Sequence, residues 1–312
     1  MKRIKKFLPG LLAISFFTSF GNKLEYIQES VPPDNLLAVS GLSGKIQIKW
    51  VANGNNPHGA MLLPVQVKGI TKTVYMQLDF GSPKTVFYKK SLQSIPRELA
   101  DGLIFKKDSR EIGLDFSIKR MKISSASFRL LDYGDRVDFK NPKAPNIIGT
   151  IGTDLLKERI IVLNFKRQRC SFIDKIRDDG FSPFEFKQGR ILLPAMIGNE
   201  NVKVLYDSGA SGYQLITSKD IWERYRIVTG KSLSERVNSW GDTLTIVSAP
   251  GNKDIHFGAA KLRLSTVTYV EGISALNMSL MKRSGMQGMI GNKLFLNSKI
   301  TLDCKKQRFK VE

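Results

Sequence analysis

Histidine and cysteine are scarce in this sequence, with only two residues of each among 312. A Ser-His relay needs a histidine in a matching motif, and neither His58 nor His256 lies in one. Cys170 and Cys304 cannot form a zinc site without further ligands. Hydrophobic residues make up 42% and charged residues 25% of the chain, which is a globular composition. These features argue against a serine hydrolase, a zinc site, a fibre and a multi-span membrane protein.

Acidic residues are also few, with 28 of them against 49 basic residues and a net charge of +21. Without residues 1–21, which hold four basic and no acidic residues, the charge is about +17. Such an excess favours anionic partners, but the lysines and arginines are spread along the chain without an arginine- and aromatic-rich stripe. We therefore predict a lysine-rich soluble surface and no specific nucleic-acid partner. The alternative is a polyanion-binding surface.

The N-terminus has the pattern of an export signal. A basic start is followed by an apolar stretch over 7–20, and Ser19 and Gly21 are small residues at suitable cleavage positions. The stretch is short for a bilayer span, although an uncleaved anchor is the alternative. We predict export to the periplasm or the medium, cleavage near Gly21, and no membrane span after signal removal.

Two halves of the chain repeat each other. The segment 149–173 recurs as 288–312 at a constant offset of 139 residues. Earlier in each half, a Leu-Leu-Pro segment (62–64 and 192–194) precedes an aspartate followed by a glycine-bearing turn. The predicted organisation is a signal peptide (1–21), an N-terminal extension with an extra strand (22–59), a first lobe (60–177), a linker (178–189) and a second lobe (190–312).

The hydrophobic pattern between these landmarks is mostly that of β-structure. Alternating apolar and polar residues predict strands over 116–123, 126–131, 243–247 and 261–270, and an extra strand over 45–50. Short helices are predicted after Lys89, at 218–225 and at 155–159. The predicted fold is all-β, with two pseudo-symmetric, β-barrel-like lobes and a cleft between them.

Asp79 and Asp207 occupy matching points of the two halves, directly before the glycine-bearing turns. If a two-fold axis relates the lobes, these turns meet at it. Carboxylates held about 3 Å apart cannot both ionise easily, so they share one proton. One then acts as a base toward water and the other as an acid toward a carbonyl oxygen. The alternative reading, two ordinary turn-opening aspartates, is disfavoured by the duplicated context.

The segments Leu78-Asp79-Phe80-Gly81-Ser82 and Tyr206-Asp207-Ser208-Gly209-Ala210 resemble the signature of the pepsin-like and retropepsin-like aspartic peptidases. Segments 146–149 and 287–291 resemble the second signature of that family. The resemblance covers about residues 60–312. It implies the two-lobed acid-protease fold, a catalytic pair Asp79 and Asp207, and loop support from Gly81, Ser82, Ser208 and Gly209. It also implies a polypeptide substrate, no metal or organic cofactor, and an active site that one chain completes.

By the same resemblance, two hairpins, over 103–121 and 240–255, are expected to close over substrate. Asp108, Ser109 and Arg110 form the expected tip of the first hairpin, and Trp240 is a cleft candidate in the second. Family members usually place a hydroxyl residue after each aspartate, and the two hydroxyls brace the loops. Phe80, which follows Asp79, has no hydroxyl group. The hydrogen bond expected from the first-lobe loop is therefore missing or replaced by packing. A peptide-binding protein without turnover is therefore the alternative function.

Two further expectations concern side chains at the site and below it. Ser82 can donate a hydrogen bond to Asp79, whereas Ala210 offers Asp207 none. The Ser82 bond favours the ionised form, whereas the missing bond at Ala210 and the apolar Phe80 favour the protonated form. These two absences predict raised pKa values for the pair and an activity optimum at about pH 4–6. Cys170 and Cys304 each face a phenylalanine across a basic hairpin, which favours two buried free thiols over a disulfide.

Overall fold

The structure, a computed structural model, describes residues 35–54, 56–100, 105, 109–239, 242–272 and 285–312. Its helices are α1 (Lys89–Gln93) and α2 (Lys219–Tyr225). Its strands, in chain order, are β1 (Ala38–Ser40), β2 (Gly44–Gln47), β3 (Lys49–Asn53), β4 (Asn56–Val67), β5 (Val74–Leu78), β6 (Val86–Tyr88), β7 (Glu111–Ile118), β8 (Met121–Leu131), β9 (Ile147–Ile151), β10 (Ile160–Asn164), β11 (Arg169–Ile173), β12 (Ser182–Pro183), β13 (Glu185–Lys187), β14 (Arg190–Ile197), β15 (Glu200–Tyr206), β16 (Leu215–Thr217), β17 (Leu233–Ser239), β18 (Asp242–Phe257), β19 (Ala260–Val270), β20 (Met286–Ile290), β21 (Lys299–Asp303) and β22 (Arg308–Val311).

The two lobes are built on sheets of the same topology. In the first lobe the strand order is β1-β8-β6-β9-β5-β4-β3, with β7 pairing to β4 and β8. In the second it is β13-β14-β15-β20-β16-β19-β18-β17, with an added β14–β18 pairing. In each sheet one strand, β5 or β15, is central and runs parallel to its neighbour β9 or β20. The expected all-β architecture with two similar lobes is confirmed.

A third sheet of six strands joins the lobes, in the order β12-β22-β21-β10-β11-β2. It combines the terminal hairpins β10–β11 and β21–β22, which are the repeated segments at the 139-residue offset. Strands β10 and β21 are antiparallel, and Val162 stands opposite Thr301, which is its own repeat equivalent. An approximate two-fold axis therefore passes between these two residues, and it fixes how the lobes face each other.

The strands are apolar because their side chains form the buried core of the two lobes. Leu63, Met76 and Ile148 are fully buried in a core that continues into the second lobe through Leu193 and Ile290. A separate, smaller apolar cluster belongs to the second lobe alone. No helix among the described residues is long and apolar enough to cross a membrane.

Three segments differ from the sequence-based expectations. The extra strand expected over 45–50 is two strands, β2 and β3, in different sheets, because the chain changes sheets at Ile48, whose N–H donates to the Gln168 carbonyl. The strand expected over 116–123 contains the β7–β8 turn, where Lys119 has a φ of 53°. The two consecutive charged residues Lys119 and Arg120 interrupt the alternation and mark this turn.

The expected helix at 155–159 is instead a 3₁₀ turn at Thr153–Leu156. The segment 178–189, expected as a plain linker, carries the short strands β12 and β13, which pair with β22 and β14. The signal region, residues 1–21, lies outside the described residues, so export stays a prediction.

Candidate active site

Asp79 and Asp207 each follow the central strand of their lobe. The N–H of Asp79 donates to the Ile151 carbonyl at 3.0 Å, and the N–H of Asp207 donates to the Ile290 carbonyl at 2.9 Å. These bonds continue the parallel pairing of β5 with β9 and of β15 with β20 by one residue. The repeated sequence thus ends both central strands at the same place, with a carboxylate at each end.

Both carboxyl groups are held in the same way by their own loops. Asp79 Oδ1 accepts the Gly81 N–H at 2.8 Å, and Asp207 Oδ1 accepts the Gly209 N–H, also at 2.8 Å. The backbone N–H of Ser82 and that of Ala210 add a second donor to their respective aspartates. Each turn therefore aims two N–H groups at one carboxylate.

The glycines of the two turns are needed because the loops interlock across the two-fold axis. A Cβ atom on Gly81 would lie 2.5 Å from Asp207 Oδ2, and one on Gly209 would lie 2.5 Å from Asp79 Oδ1. Any side chain at either position would displace the carboxyl group of the opposite lobe. The structure therefore brings Asp79, Asp207, Gly81 and Gly209 together at one point.

The two carboxyl groups lie within hydrogen-bonding reach of each other. Asp79 is 0% exposed and Asp207 is 1% exposed. The Oδ2 atom of each is buried and accepts no hydrogen bond from another group among the described residues. A single proton between the carboxyl groups satisfies both, and two buried carboxylates without one would repel each other strongly.

Burial raises the pKa of both groups, and the charge of Asp207 adds to this effect for Asp79. For Asp79, burial comes first and the Asp207 charge second, and together they hold its pKa well above the usual range. Burial raises the pKa of Asp207 to about 6, against the opposing effects of the Asp79 hydrogen bond, the turn N–H groups and the Arg190 charge. The Arg190 charge acts on Asp207, which favours Asp207 as the ionised member of the pair.

Arg190 is a member of this site that the sequence reasoning missed. It begins β14 and is largely buried, and its positive charge acts on Asp207. The preceding Gly189 packs against Pro83 of the first lobe, and the Gly189 carbonyl accepts a hydrogen bond from the Thr153 hydroxyl. By the Leu-Leu-Pro repeat the equivalent residue is Ala60, so the charge belongs to one side of the pair only. Arg190 and Ala60 each lie two residues before the Leu-Leu-Pro segment of their half, so an alignment of the two segments shows this difference in charge.

Ser208 supplies one complete side of the expected brace. Its hydroxyl accepts the Phe80 N–H at 2.9 Å and donates to the Leu78 carbonyl at 2.9 Å, so it ties the second-lobe loop to the first. On the other side, the Phe80 ring is fully buried and packs edge-on against Tyr206, with 5.3 Å between ring centroids. Packing thus replaces the missing hydroxyl.

The role expected for the Ser82 hydroxyl is wrong. That hydroxyl donates to the Lys84 carbonyl at 2.7 Å, within its own loop, and Asp79 receives the Ser82 backbone N–H instead. Ala210 gives Asp207 the same kind of backbone bond. The two aspartates therefore do not differ in hydroxyl donors, and burial is the physical cause of their raised pKa values.

The cleft candidates are only partly described. Asp108 and Trp240 lie outside the described residues. Ser109 and Arg110 come directly before β7 rather than at a hairpin tip, and the β7–β8 turn is at 119–120. Ser109 forms a local turn, because its hydroxyl donates to the Glu111 carbonyl at 2.6 Å. The structure does not bring these two residues into contact with the aspartates.

Other candidate ligands are few. Among the residues that the structure describes, no group of three or more His, Cys, Asp or Glu side chains is placed to hold a metal ion. Cys170 and Cys304 are buried free thiols, as expected.

Comparisons with known proteins give a fold likeness and nothing closer. No protein family matches the sequence, and no curated protein does either. Among solved structures, an aspartic proteinase from Irpex lacteus is similar at 10% identity and a TM-score of 0.43, covering 88% of this chain and 97% of its own. Conglutin gamma, a basic 7S globulin from lupine seeds, is similar at 11% identity and a TM-score of 0.46, covering 87% and 95%. Similarities of this size support no conclusion about the chemistry of this chain.

Proposed function

We propose that this protein is an aspartic-type endopeptidase that hydrolyses peptide bonds of polypeptides. The observation that carries the proposal is the buried pair of carboxyl groups, Asp79 and Asp207, within hydrogen-bonding reach of each other and with one oxygen each left to share a proton. Two groups whose surroundings separate their pKa values are suited to opposite roles in acid–base chemistry.

The asymmetry of the pair assigns the roles. Ionised Asp207 takes a proton from a water molecule as the water oxygen attacks the carbonyl carbon of the peptide bond. Protonated Asp79 gives its proton to the carbonyl oxygen, which forms a tetrahedral diol. The carbon–nitrogen bond then breaks as Asp207 returns its proton to the leaving nitrogen, and a diol hydroxyl returns a proton to Asp79. No net charge is created in the buried site at any step.

The alternative function, peptide binding without turnover, was motivated by Phe80. The carboxyl pair meets in spite of Phe80, because the ring packs on Tyr206 and the Ser208 hydroxyl still joins the loops. Nothing in the described site therefore favours the alternative.

The test is Asp207→Asn, which keeps the shape of the side chain and removes its ability to act as a base. We expect loss of almost all cleavage of a denatured protein substrate between about pH 3 and pH 7, with an unchanged fold by circular dichroism. Wild-type cleavage should be blocked by a statine-type inhibitor.

The matched control is Asp115→Asn, since Asp115 is an exposed carboxylate whose ion pair with Lys68 is at the surface. This variant should keep wild-type activity. Substantial activity in a folded Asp207→Asn protein, or none in the wild type, would contradict the proposal.

A further inference from the structure

The two sides of the aspartate pair have opposite polarity although their strands are equivalent. In the first lobe, Gln77 of β5 stands between Leu62 of β4 and Thr150 of β9. In the second lobe, the same register places Leu205 between Leu192 and Met289. Gln77 and Leu205 each lie two residues before an aspartate, so they share its face of the sheet. The amide of Gln77 and the hydroxyl of Thr150 in the first lobe thus correspond to the apolar side chains of Leu205 and Met289 in the second.

The second-lobe side is an apolar cluster. Leu192, Leu205 and Met289 pack there with Val237 and Ile246 of the β17–β18 hairpin. Ala210, whose N–H binds Asp207, belongs to the same cluster, so the apolar surface extends up to that aspartate. A side chain bound on this side would meet hydrocarbon.

The first-lobe side is polar and equally buried. The hydroxyls of Tyr88 and Thr150 are 2.6 Å apart, and both residues are 0% exposed. The Asp79 charge contributes to the raised pKa of Tyr88, which places this hydroxyl pair in the electrostatic reach of that aspartate. A polar group bound here would find donors and acceptors next to Asp79.

Gln77 is the unexplained member of this polar side. It is 0% exposed, and neither its Oε1 nor its Nε2 atom has a hydrogen-bond partner among the described residues. Unpaired buried polar atoms are rare in proteins because each loses its bonds to water without replacement. The Gln77 amide is buried, lies on the same face of the sheet as Asp79, and has a free acceptor (Oε1) and a free donor (Nε2). It is therefore suited to bind a polar group of a ligand.

We propose that Gln77 is a specificity-determining residue, whose amide binds a polar, uncharged substrate side chain on the first-lobe side of the scissile bond while the second-lobe side takes an apolar one. The amide offers one acceptor and two hydrogens, so asparagine, glutamine, serine or threonine side chains can bond to it. A charged side chain would lose its hydration in this buried place, which excludes it. This inference rests on the proposed peptidase function and narrows its substrates.

The test is cleavage of a peptide set in which the two residues flanking the scissile bond are varied independently among Asn, Gln, Ser, Leu and Met. In the wild type, kcat/KM should be about 10- to 100-fold higher with a polar residue at one flanking position than with leucine there. The variant Gln77→Met, of nearly equal volume, should lose this preference. The matched control, Gln66→Met, makes the same substitution at another first-lobe amide, which donates to the Ile70 carbonyl, and should leave the preference unchanged.

Stability provides a second readout that does not depend on activity. If the amide is unpaired in the free protein, Gln77→Met should have the same Tm as the wild type or a higher one. A clear fall in Tm would show that Gln77 bonds only an internal water or protein group, and would overturn the inference. Equal cleavage profiles for the wild type and Gln77→Met, or an apolar preference at both positions, would also overturn it.

Absence of any cleavage would count against the peptidase function and not against the polar subsite. In that case the same peptides are titrated by calorimetry, and weaker binding of the polar peptides to Gln77→Met than to the wild type supports the subsite. Equal binding rejects it.

Discussion

At the scale of single residues, the two aspartates have matching backbone donors but unequal electrostatic surroundings. Each accepts two turn N–H groups, and both are buried. Arg190 lies on the Asp207 side alone, and its charge favours the ionised form of that carboxyl group. In the proposed mechanism, this one arginine favours Asp207 over Asp79 as the base.

Replacing Arg190 by glutamine should move the acid limb of the pH–activity profile to higher pH. The Arg190 charge lowers the pKa of Asp207, so its loss raises that pKa, and the active form with Asp207 ionised appears only at higher pH. The measurement is kcat/KM against pH. Arg190→Lys keeps the charge and should keep the limb near its wild-type position; an unmoved limb in Arg190→Gln would show that the arginine is only structural.

Stability should fall as the pH rises through the titration of the pair. Burial raises the pKa of Asp207 from 3.8 to about 6, so the native state holds a proton that the unfolded chain has already released. The stabilisation is complete below about pH 4 and is lost as the pH rises through about 6. The measurement is the Tm at several pH values for the wild type and Asp207→Asn. The difference between the two proteins should change across this window, and parallel curves would refute the assignment.

At the scale of the elements, the two turns are connected across the lobe interface as well as within each lobe. The Ser208 hydroxyl bonds backbone groups on both sides of Asp79, at Phe80 and Leu78. The β3–β4 and β13–β14 hairpins also reach across, since Asn56 contacts Gly212 and Gly189 contacts Pro83. The position of each aspartate therefore depends on the other lobe as well as on its own turn.

Removing the Ser208 hydroxyl should weaken this cross-lobe connection measurably. In Ser208→Ala, a buried N–H and a buried carbonyl of the first lobe lose their partner, which should lower the free energy of unfolding by about 2–4 kcal/mol. Urea denaturation measures the change. Ser208→Thr retains the hydroxyl and should cost much less; equal losses in the two variants would mean that packing, not the hydrogen bonds, supports the loop.

At the scale of the whole molecule, the six-stranded sheet joins the lobes and holds both cysteines near or within its central hairpins. Cys170 lies in β11 beside Leu163, and Cys304 directly follows β21. Burial raises the pKa of the Cys170 thiol well above its usual value, and burial with the Asp303 charge raises that of Cys304 to about 12. Both thiols are therefore protonated and inaccessible while this sheet is intact.

Thiol labelling should accordingly report on opening of the interlobe sheet. Neither cysteine should react with a disulfide reagent in the native protein near neutral pH, and both should react at once in strong denaturant. The rate of labelling at intermediate denaturant should follow the loss of β-structure by circular dichroism. Rapid labelling of the native protein would show that the sheet opens independently of the fold.

The amino-acid sequence alone was enough to predict the duplication, the mostly β fold, and the meeting of Asp79 and Asp207. These features depend on local patterns, namely alternation along strands and a glycine-bearing turn after each aspartate, which recur at matching points of the chain. A duplicated local pattern implies a two-fold relation, so it carries tertiary information even without an alignment.

Other features were decided only by the tertiary structure, because they depend on contacts between residues far apart in the chain. The Phe80 ring packs against the Tyr206 ring, and the charge of Arg190 acts on Asp207. No local sequence pattern indicates either interaction. The unpaired amide of Gln77 was visible only once its neighbours were in place, since burial and hydrogen bonding are properties of the surroundings and not of the residue.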